Sequence, residues 1–217
     1  MTPTPLLIAL PKGRLEEELL PRLQGTPFQL DAEALASRRL RIPMAMPGLS
    51  AILLKGADLP RYVAGGVAAL GVVGSDILDE CPVDLLELRD LGFGGCRLSL
   101  CGPAGTSLEA LKARPHLRLA TKFQRSTERW LLQEGITAEL VPLQSSVELA
   151  PVLGLADAIV DLVQSGGTLR AHQLVELALL GRTSARLVAC RGLYLSDPVR
   201  LAALATALAR ALGPGGN

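Results

Sequence analysis

Thirteen residues, Asp157 to Leu169 (DAIVDLVQSGGTL), constrain this chain more than any other part of it. Ala158 to Val163 is apolar almost throughout and too short for a helix, so it reads as a buried strand. Gln164-Ser165-Gly166-Gly167 reads as a turn, and Thr168 opens the next periodic segment. A strand that feeds a glycine turn at a helix N-terminus aims several unpaired backbone N–H groups at one spot. The helix dipole adds partial positive charge there, so the turn suits a phosphate. The carboxylates of Asp157 and Asp161 cannot bind that same phosphate; they suit hydroxyls or a metal ion. Phosphate on one side and hydroxyls on the other describe a ribose phosphate. The competing reading is a plain packing turn. Asp161 weighs against it, because a carboxylate inside an apolar strand is costly to bury unpaired.

The rest of the chain supports an ordinary core. With 217 residues, 49% hydrophobic and 20% charged, it fits one large domain or two small ones. A net charge of +1 gives no electrostatic case for nucleic acid or an anionic membrane. Aromatic content of 3% leaves little for base stacking. No stretch approaches the roughly 18 apolar residues of a membrane span. Cys81, Cys96, Cys101 and Cys190 form no CxxC pair, so no zinc site is expected. The first residues, MTPTPLLIALPKGRL, carry no basic region ahead of their short apolar run. Both features point to a reducing cytoplasm.

Strand-like and helix-like segments alternate. Leu6 to Leu10, Leu40 to Met46, Leu49 to Leu54, Ala69 to Val73, Cys96 to Cys101, Leu117 to Ala120, Glu139 to Leu143 and Ala185 to Cys190 read as strands besides the one above. Between them, Asp58 is placed to cap a short helix ending at Gly65-Gly66, Ser126 one ending at Gly135, and Ser145 or Ser146 a third. The helix opened by Thr168 is expected to run to about Leu180, with Gly181 ending it. Asp197-Pro198 starts the last amphipathic helix. This alternation predicts α/β layers with a mostly parallel sheet. The glycine-rich stretch Gly92 to Cys96 is a candidate crossover between two lobes. In open α/β sheets ligands sit beyond the carboxyl ends of strands. Lys12, Lys55, Gly74 and Ser165 all follow predicted strands, so several are placed to line one cleft.

Three further turns carry candidate chemistry. Leu10 to Leu15 (LPKGRL) sets Lys12 and Arg14 about Gly13 at a strand-to-helix turn, fit to neutralise a polyphosphate or simply a basic surface turn. Gly71 to Asp76 (GVVGSD) is another strand–turn–helix in which Gly74 would let backbone approach a ligand. It matches neither a Walker A loop nor GxGxxG, and a packing turn explains it equally. Ser145 to Pro151 (SSVELAP), with Glu148, reads as a helix start that an anion could share. His116 and His172 lack a nucleophile-and-base setting.

Taken in order, these segments resemble the ATP phosphoribosyltransferase family. The carriers are IALPKGRL (Ile8 to Leu15), SRRL (Ser37 to Leu40), ADLPRYVAGGVAALGVVGSDIL (Ala57 to Leu78), DLGFGGCRL (Asp90 to Leu98), LATKFQRST (Leu119 to Thr127) and SVELAPVLGLADAIVDLVQSGGTL (Ser146 to Leu169). The family's phosphoribosyl-diphosphate loop is usually STGxTL; here Ser165 stands where Thr is usual, which keeps the hydroxyl. Lys55 stands where Arg is common, and Ser145 where Gly is common.

The resemblance implies two α/β lobes around a cleft, similar to type II periplasmic binding proteins. Lobe I would be residues 1–91 plus 182–217, and lobe II residues 92–181 with the loop. It further implies transfer of the phosphoribosyl group of 5-phosphoribosyl diphosphate to N1 of ATP, releasing pyrophosphate, as the first step of histidine biosynthesis. On that reading Ser165, Gly166, Gly167, Thr168 and Leu169 hold the 5-phosphate, and Asp161 with Asp157 holds ribose hydroxyls. Lys12, Arg14, Arg38 and Lys55 neutralise the pyrophosphate or the triphosphate. Gly13, Gly74 and Glu148 line the ATP side of the cleft. Mg²⁺ would ride on the substrate. The chain resembles the family's short form, which implies a regulatory partner similar to histidyl-tRNA synthetase in a hetero-octamer. The alternative is a two-lobed anion-binding or scaffold module without catalysis.

Overall fold

A computed structural model of the chain describes residues 5–37 and 39–213, which leaves Arg38 outside the described residues. The chain divides into two compact units. Unit 1 holds the residues up to Gly94 and from Ser184 onward; unit 2 is Gly95–Thr183.

Unit 1 begins with β1 (Leu6–Pro11), α1 (Arg14–Leu23), α2 (Ala32–Ala36), β2 (Ile42–Pro43), β3 (Leu49–Leu54), α3 (Leu59–Ala64), β4 (Leu70–Gly74), α4 (Ser75–Glu80) and β5 (Leu86–Asp90). Unit 2 follows with β6 (Cys96–Pro103), α5 (Leu108–Lys112), β7 (Arg118–Thr121), α6 (Gln124–Glu134), β8 (Glu139–Pro142), α7 (Leu149–Val152), β9 (Ala158–Val163), α8 (Gly167–Ala171) and β10 (Leu174–Thr183). The chain then returns to unit 1 for β11 (Ala185–Ala189), α9 (Arg191–Ser196) and α10 (Pro198–Leu212).

The sheet of unit 1 runs β2-β3-β1-β4-β11-β5, and that of unit 2 runs β10-β6-β9-β7-β8. Parallel pairing is confined to β1 with β3 and β4, and to β7 with β8 and β9. The other five pairings are antiparallel, so both sheets are mixed rather than mostly parallel. The cause is that each unit takes in strands beyond its parallel trio: β11 joins unit 1 from the far end of the chain, and in unit 2 β6 pairs with β9 and carries β10 on its outer edge.

Ile8, Leu10, Leu70, Val72 and Leu187 pack beneath α1 and α10, where Leu19, Leu23, Leu208 and Leu212 are buried. In unit 2 one face of the sheet buries Leu98, Leu100, Leu119 and Val160 against Trp130 and Leu131 of α6. The opposite face buries Cys101, Ala120, Ile159 and Val163 against Val147 and Ala150. This two-sided burial explains why β9 is apolar at nearly every position. All four cysteines are buried, and among the described residues no helix is long and apolar enough to cross a membrane.

The largest departure from the sequence expectation follows the glycine turn. The helix expected from Thr168 to about Leu180 stops at Ala171, and Leu174–Thr183 is a strand on β6. That strand shifts register twice, between Glu176 and Ala178 and between Leu179 and Gly181. Each shift adds an unpaired residue. The extra residues, Leu177 and Leu180, stand with Leu174 at a spacing of three that imitates a helix, although Leu174 packs on the opposite face of the sheet.

Helix starts also differ. The helix expected to be capped by Ser126 begins at Gln124, with Phe123 at the cap position. The one assigned to Ser145 or Ser146 begins at Leu149, with Glu148 before it. Asp58 stands at the N-cap of α3 without a side-chain cap bond, whereas Asp197 caps α10 by accepting from the Arg200 N–H.

Candidate functional site

Parallel strands place their carboxyl ends at one edge. In unit 1 that edge collects the residues just past Pro11, Leu54 and Gly74, in register across β3, β1 and β4. Lys12, Gly13, Lys55 and Gly74 therefore share one edge. Lys12 and Lys55 are exposed, and the Lys12 N–H donates to the Leu54 carbonyl at 2.7 Å, which ties the first loop to β3. Gly13 has φ 85°, a left-handed value that favours glycine. Gly74 has a packing reason: a Cβ there would collide with Oδ1 of the buried Asp76. Arg14 is partly committed, since Nη1 donates to the Gly94 carbonyl at 3.2 Å and lies 3.6 Å from Glu18.

In unit 2 the carboxyl edge carries the loops after β7, β8 and β9. The loop after β9 is the glycine turn. Gly166 has φ 73° and precedes α8, whose first intrahelical bond runs from the Arg170 N–H to the Gly166 carbonyl at 3.1 Å. The N–H groups of Gly167, Thr168 and Leu169 lie ahead of that bond, where a helix leaves its donors open. Ser165 and Thr168 are exposed. Arg170 folds back so that Nη1 donates to the Ser165 carbonyl at 3.2 Å, bracing the turn. With α8 only five residues long, the local N–H groups matter more than any macrodipole.

Asp161 sits two residues before the end of β9 with its side chain 25% exposed. Its Oδ1 accepts the Leu162 N–H at 2.8 Å and lies 3.6 Å from Lys122 Nζ. Lys122, one residue past β7, was not singled out from the sequence as a site residue. Its position directly after a strand in LATKFQRST was the available signal. Glu148, half-buried, lies in the loop after β8 on the same edge.

Asp157 is not brought there. It precedes β9, about 13 Å from Asp161 along the strand. Its carboxylate accepts the Arg118 N–H at 2.8 Å and pairs with Arg114 Nη1 at 2.6 Å. It pins the opposite end of the sheet, and the expected pairing of Asp157 with Asp161 on ribose hydroxyls does not fit that place. Asp157→Asn is expected to destabilise unit 2 by about 1–3 kcal/mol through the weakened acceptor, with the Michaelis constants unmoved. Thermal melting beside steady-state kinetics would show it; a raised KM at unchanged stability would contradict the structural role.

A cavity of about 400 Å³ in unit 2 is lined by Pro103, Pro151, His172 and Leu174 among others. Pro103 and Leu174 face each other at the end of β6 opposite Arg97, so this cavity lies away from the loop edge.

The family model described as HisG, ATP phosphoribosyltransferase, matches residues 55–210. An ATP phosphoribosyltransferase of Moorella thermoacetica is 41% identical over 98% of this chain and 95% of its own length. That of Sphingopyxis alaskensis is 39% identical over 98% and 96%. Among solved structures, the ATP phosphoribosyl transferase (HisG:HisZ) complex from Thermotoga maritima aligns with a TM-score of 0.79 at 28% identity, covering 95% of this chain and 98% of that one. The aliphatic sulphonate-binding protein SsuA of Escherichia coli aligns at 0.61 and 15% identity, covering 97% and 73%, a likeness of fold alone.

Proposed function

The chain belongs to the ATP phosphoribosyltransferase family, and on that premise we propose how its residues transfer the phosphoribosyl group of 5-phosphoribosyl diphosphate to N1 of ATP. Its fold is the two-lobed type II periplasmic-binding-protein type, its activity is that of a phosphoribosyltransferase, and its place is histidine biosynthesis. A scaffold or binding module without catalysis is not favoured beside relatives of that name at about 40% identity over nearly the whole chain.

The open N–H groups of Gly167, Thr168 and Leu169, with the hydroxyls of Ser165 and Thr168, hold the 5-phosphate. Asp161 accepts from ribose hydroxyls. The observation that carries this reading is the carboxylate of Asp161 beside Lys122 on the same sheet edge as the left-handed Gly166 turn. Lys12 and Lys55, exposed on the edge of unit 1, neutralise pyrophosphate or triphosphate oxygens, with Arg14 and Arg38 beside them in the sequence reading. Gly13, Gly74 and Glu148 are the further candidates on the ATP side.

The adenine N1 attacks the anomeric carbon as the bond to pyrophosphate breaks, so positive charge gathers on the ribose ring. A carboxylate near that ring stabilises the charge, and fixed donors hold the two anions in line. No protein nucleophile is needed. Phosphoribosyl transfer generally uses a divalent metal, and we infer Mg²⁺. Hard oxygen ligands suit it. The diphosphate and ribose hydroxyls would supply most ligands, and the ion would neutralise the leaving group. The Thermotoga maritima complex motivates a HisZ-type partner. We infer that it resembles histidyl-tRNA synthetase and that the assembly is a hetero-octamer, working in the cytoplasm.

The direct test is pyrophosphate release from ATP, phosphoribosyl diphosphate and Mg²⁺, with and without the partner. Release that requires both substrates is expected. No release in either assembly would refute the reading.

A further inference from the structure

Arg97 and Glu176 lie outside every role assigned so far. Arg97, near the start of β6, donates from Nε to Glu176 Oε1 at 2.9 Å and from Nη2 to Oε2 at 3.0 Å. This is a side-on, two-bond pair. Ser99, fully buried, donates its hydroxyl to the same Oε1 at 2.6 Å. In the β6–β9 ladder Arg97 stands opposite Val163 and Ser99 opposite Asp161. Residues opposite one another in a ladder project to the same face, so Arg97, Ser99 and Asp161 share one. The same clustering acts on the buried thiol of Cys101, two residues beyond Ser99 on that face. Burial pushes its thiol up to about 12, with the charges of Glu176 and Asp161 adding and Arg97 opposing, so all three act on one sulfur.

An exposed ion pair of two long side chains is usually worth about 0–1 kcal/mol and has no further meaning. This pair differs in being anchored on a buried hydroxyl. A side-on pair engages Nε and one Nη2 hydrogen, leaving the Nη1 hydrogens and the outward Nη2 hydrogen. Among the described residues no group takes Arg97 Nη1, and its side chain is 34% exposed. The carboxyl of Glu176 is held below its ordinary range, first by the Arg97 hydrogen bond, so it stays ionised and keeps the fork turned. The cations named from the sequence all precede Gly56, in unit 1. In unit 2, Lys122 already faces Asp161.

We propose that Arg97, oriented by Glu176 and Ser99, is a further anion-binding residue on the Asp161 face of unit 2, where it takes a phosphate oxygen of phosphoribosyl diphosphate. This rests on the proposed function. The test uses the full chain with its regulatory partner, and measures KM for each substrate at saturating levels of the other, alongside thermal melting. Arg97→Gln is expected to raise KM for phosphoribosyl diphosphate about tenfold, the loss of one charge-assisted bond. KM for ATP should stay within about twofold. Arg97→Lys, which keeps charge without the fork, should fall between. Glu176→Gln should raise the same KM by about threefold by loosening the guanidinium. If R97Q does not fold, R97K and E176Q carry the comparison. Equal rises in both KM values, or no rise in any variant, would overturn the role of Arg97. A wild-type assembly that releases no pyrophosphate would instead overturn the proposed function, and this inference with it.

Discussion

Asp161→Ala is expected to lower kcat/KM by about 10²–10³ while moving the melting temperature by no more than about 2–4 °C. The two effects separate because the structural contacts of the carboxylate are few: one hydrogen bond from the adjacent Leu162 N–H and one ion pair. Its ion pair with Lys122 spans 3.6 Å between side chains 25% and 40% exposed, so solvent screens it. Losing such a pair costs about 0–1 kcal/mol. In the proposed transition state the same carboxylate faces a ribose ring gathering positive charge, where one well-placed group is worth about 3–4 kcal/mol. Asp161→Asn divides the contributions further. It keeps the shape and a hydrogen-bond acceptor but removes the charge. If charge matters most, Asn should behave like Ala in kcat; if hydroxyl binding matters most, Asn should recover much of the KM. Single-turnover rates with both variants would decide it. Activity of Asp161→Ala within threefold of the unchanged protein would remove Asp161 from the mechanism.

What the sequence made legible was local. The strand at Ala158 to Val163 and the turn at Gln164 to Gly167 could be read because each is set by a few adjacent residues: an apolar run, then glycines. The edge of unit 1 was legible for the same reason, since Lys12 and Lys55 each follow a short apolar strand directly. Interactions across long separations were not legible. Asp157 and Asp161 look alike in sequence. Only the pairing of β9 with β7 shows that Arg118 captures one at the far end while Lys122 meets the other at the loop. Glu176 was hidden twice. Its segment carries bulges that disguise a strand as a helix, and its partners Arg97 and Ser99 lie 79 and 77 residues away. The helix starts at Phe123 and Glu148 escaped because neither residue is a standard cap. The chemistry itself came from the family resemblance rather than from periodicity or charge.

Phe123→Ala should have the largest effect on stability, about 3–5 kcal/mol lost from unit 2. The ring is 1% exposed and packs among Leu111, Leu119, Trp130 and Leu131. Its backbone is also fixed. The Phe123 N–H donates to Thr121 Oγ1 at 2.9 Å, the Thr121 hydroxyl donates to the Val160 carbonyl at 2.8 Å, and the Phe123 carbonyl accepts the Thr127 hydroxyl at 2.6 Å. These bonds survive the substitution, so the loss belongs to the ring. Lys122 Nζ lies 5.0 Å from the ring centroid, but at a 40% exposed side chain such a contact contributes only about 0.5–1 kcal/mol. Cavity formation therefore dominates. Phe123→Leu isolates the smaller effect, because it refills most of the space at a cost of about 1–1.5 kcal/mol and removes the ring face entirely. The single tryptophan, Trp130, sits in the same cluster and reports on unit 2 directly. That matters because a chain of two units does not guarantee one unfolding transition. The denaturant midpoint of Trp130 fluorescence should fall steeply for Phe123→Ala and slightly for Phe123→Leu. If the two variants shift it equally, the ring contact with Lys122 outweighs the packing, and Lys122 is held toward Asp161 by Phe123 rather than by charge.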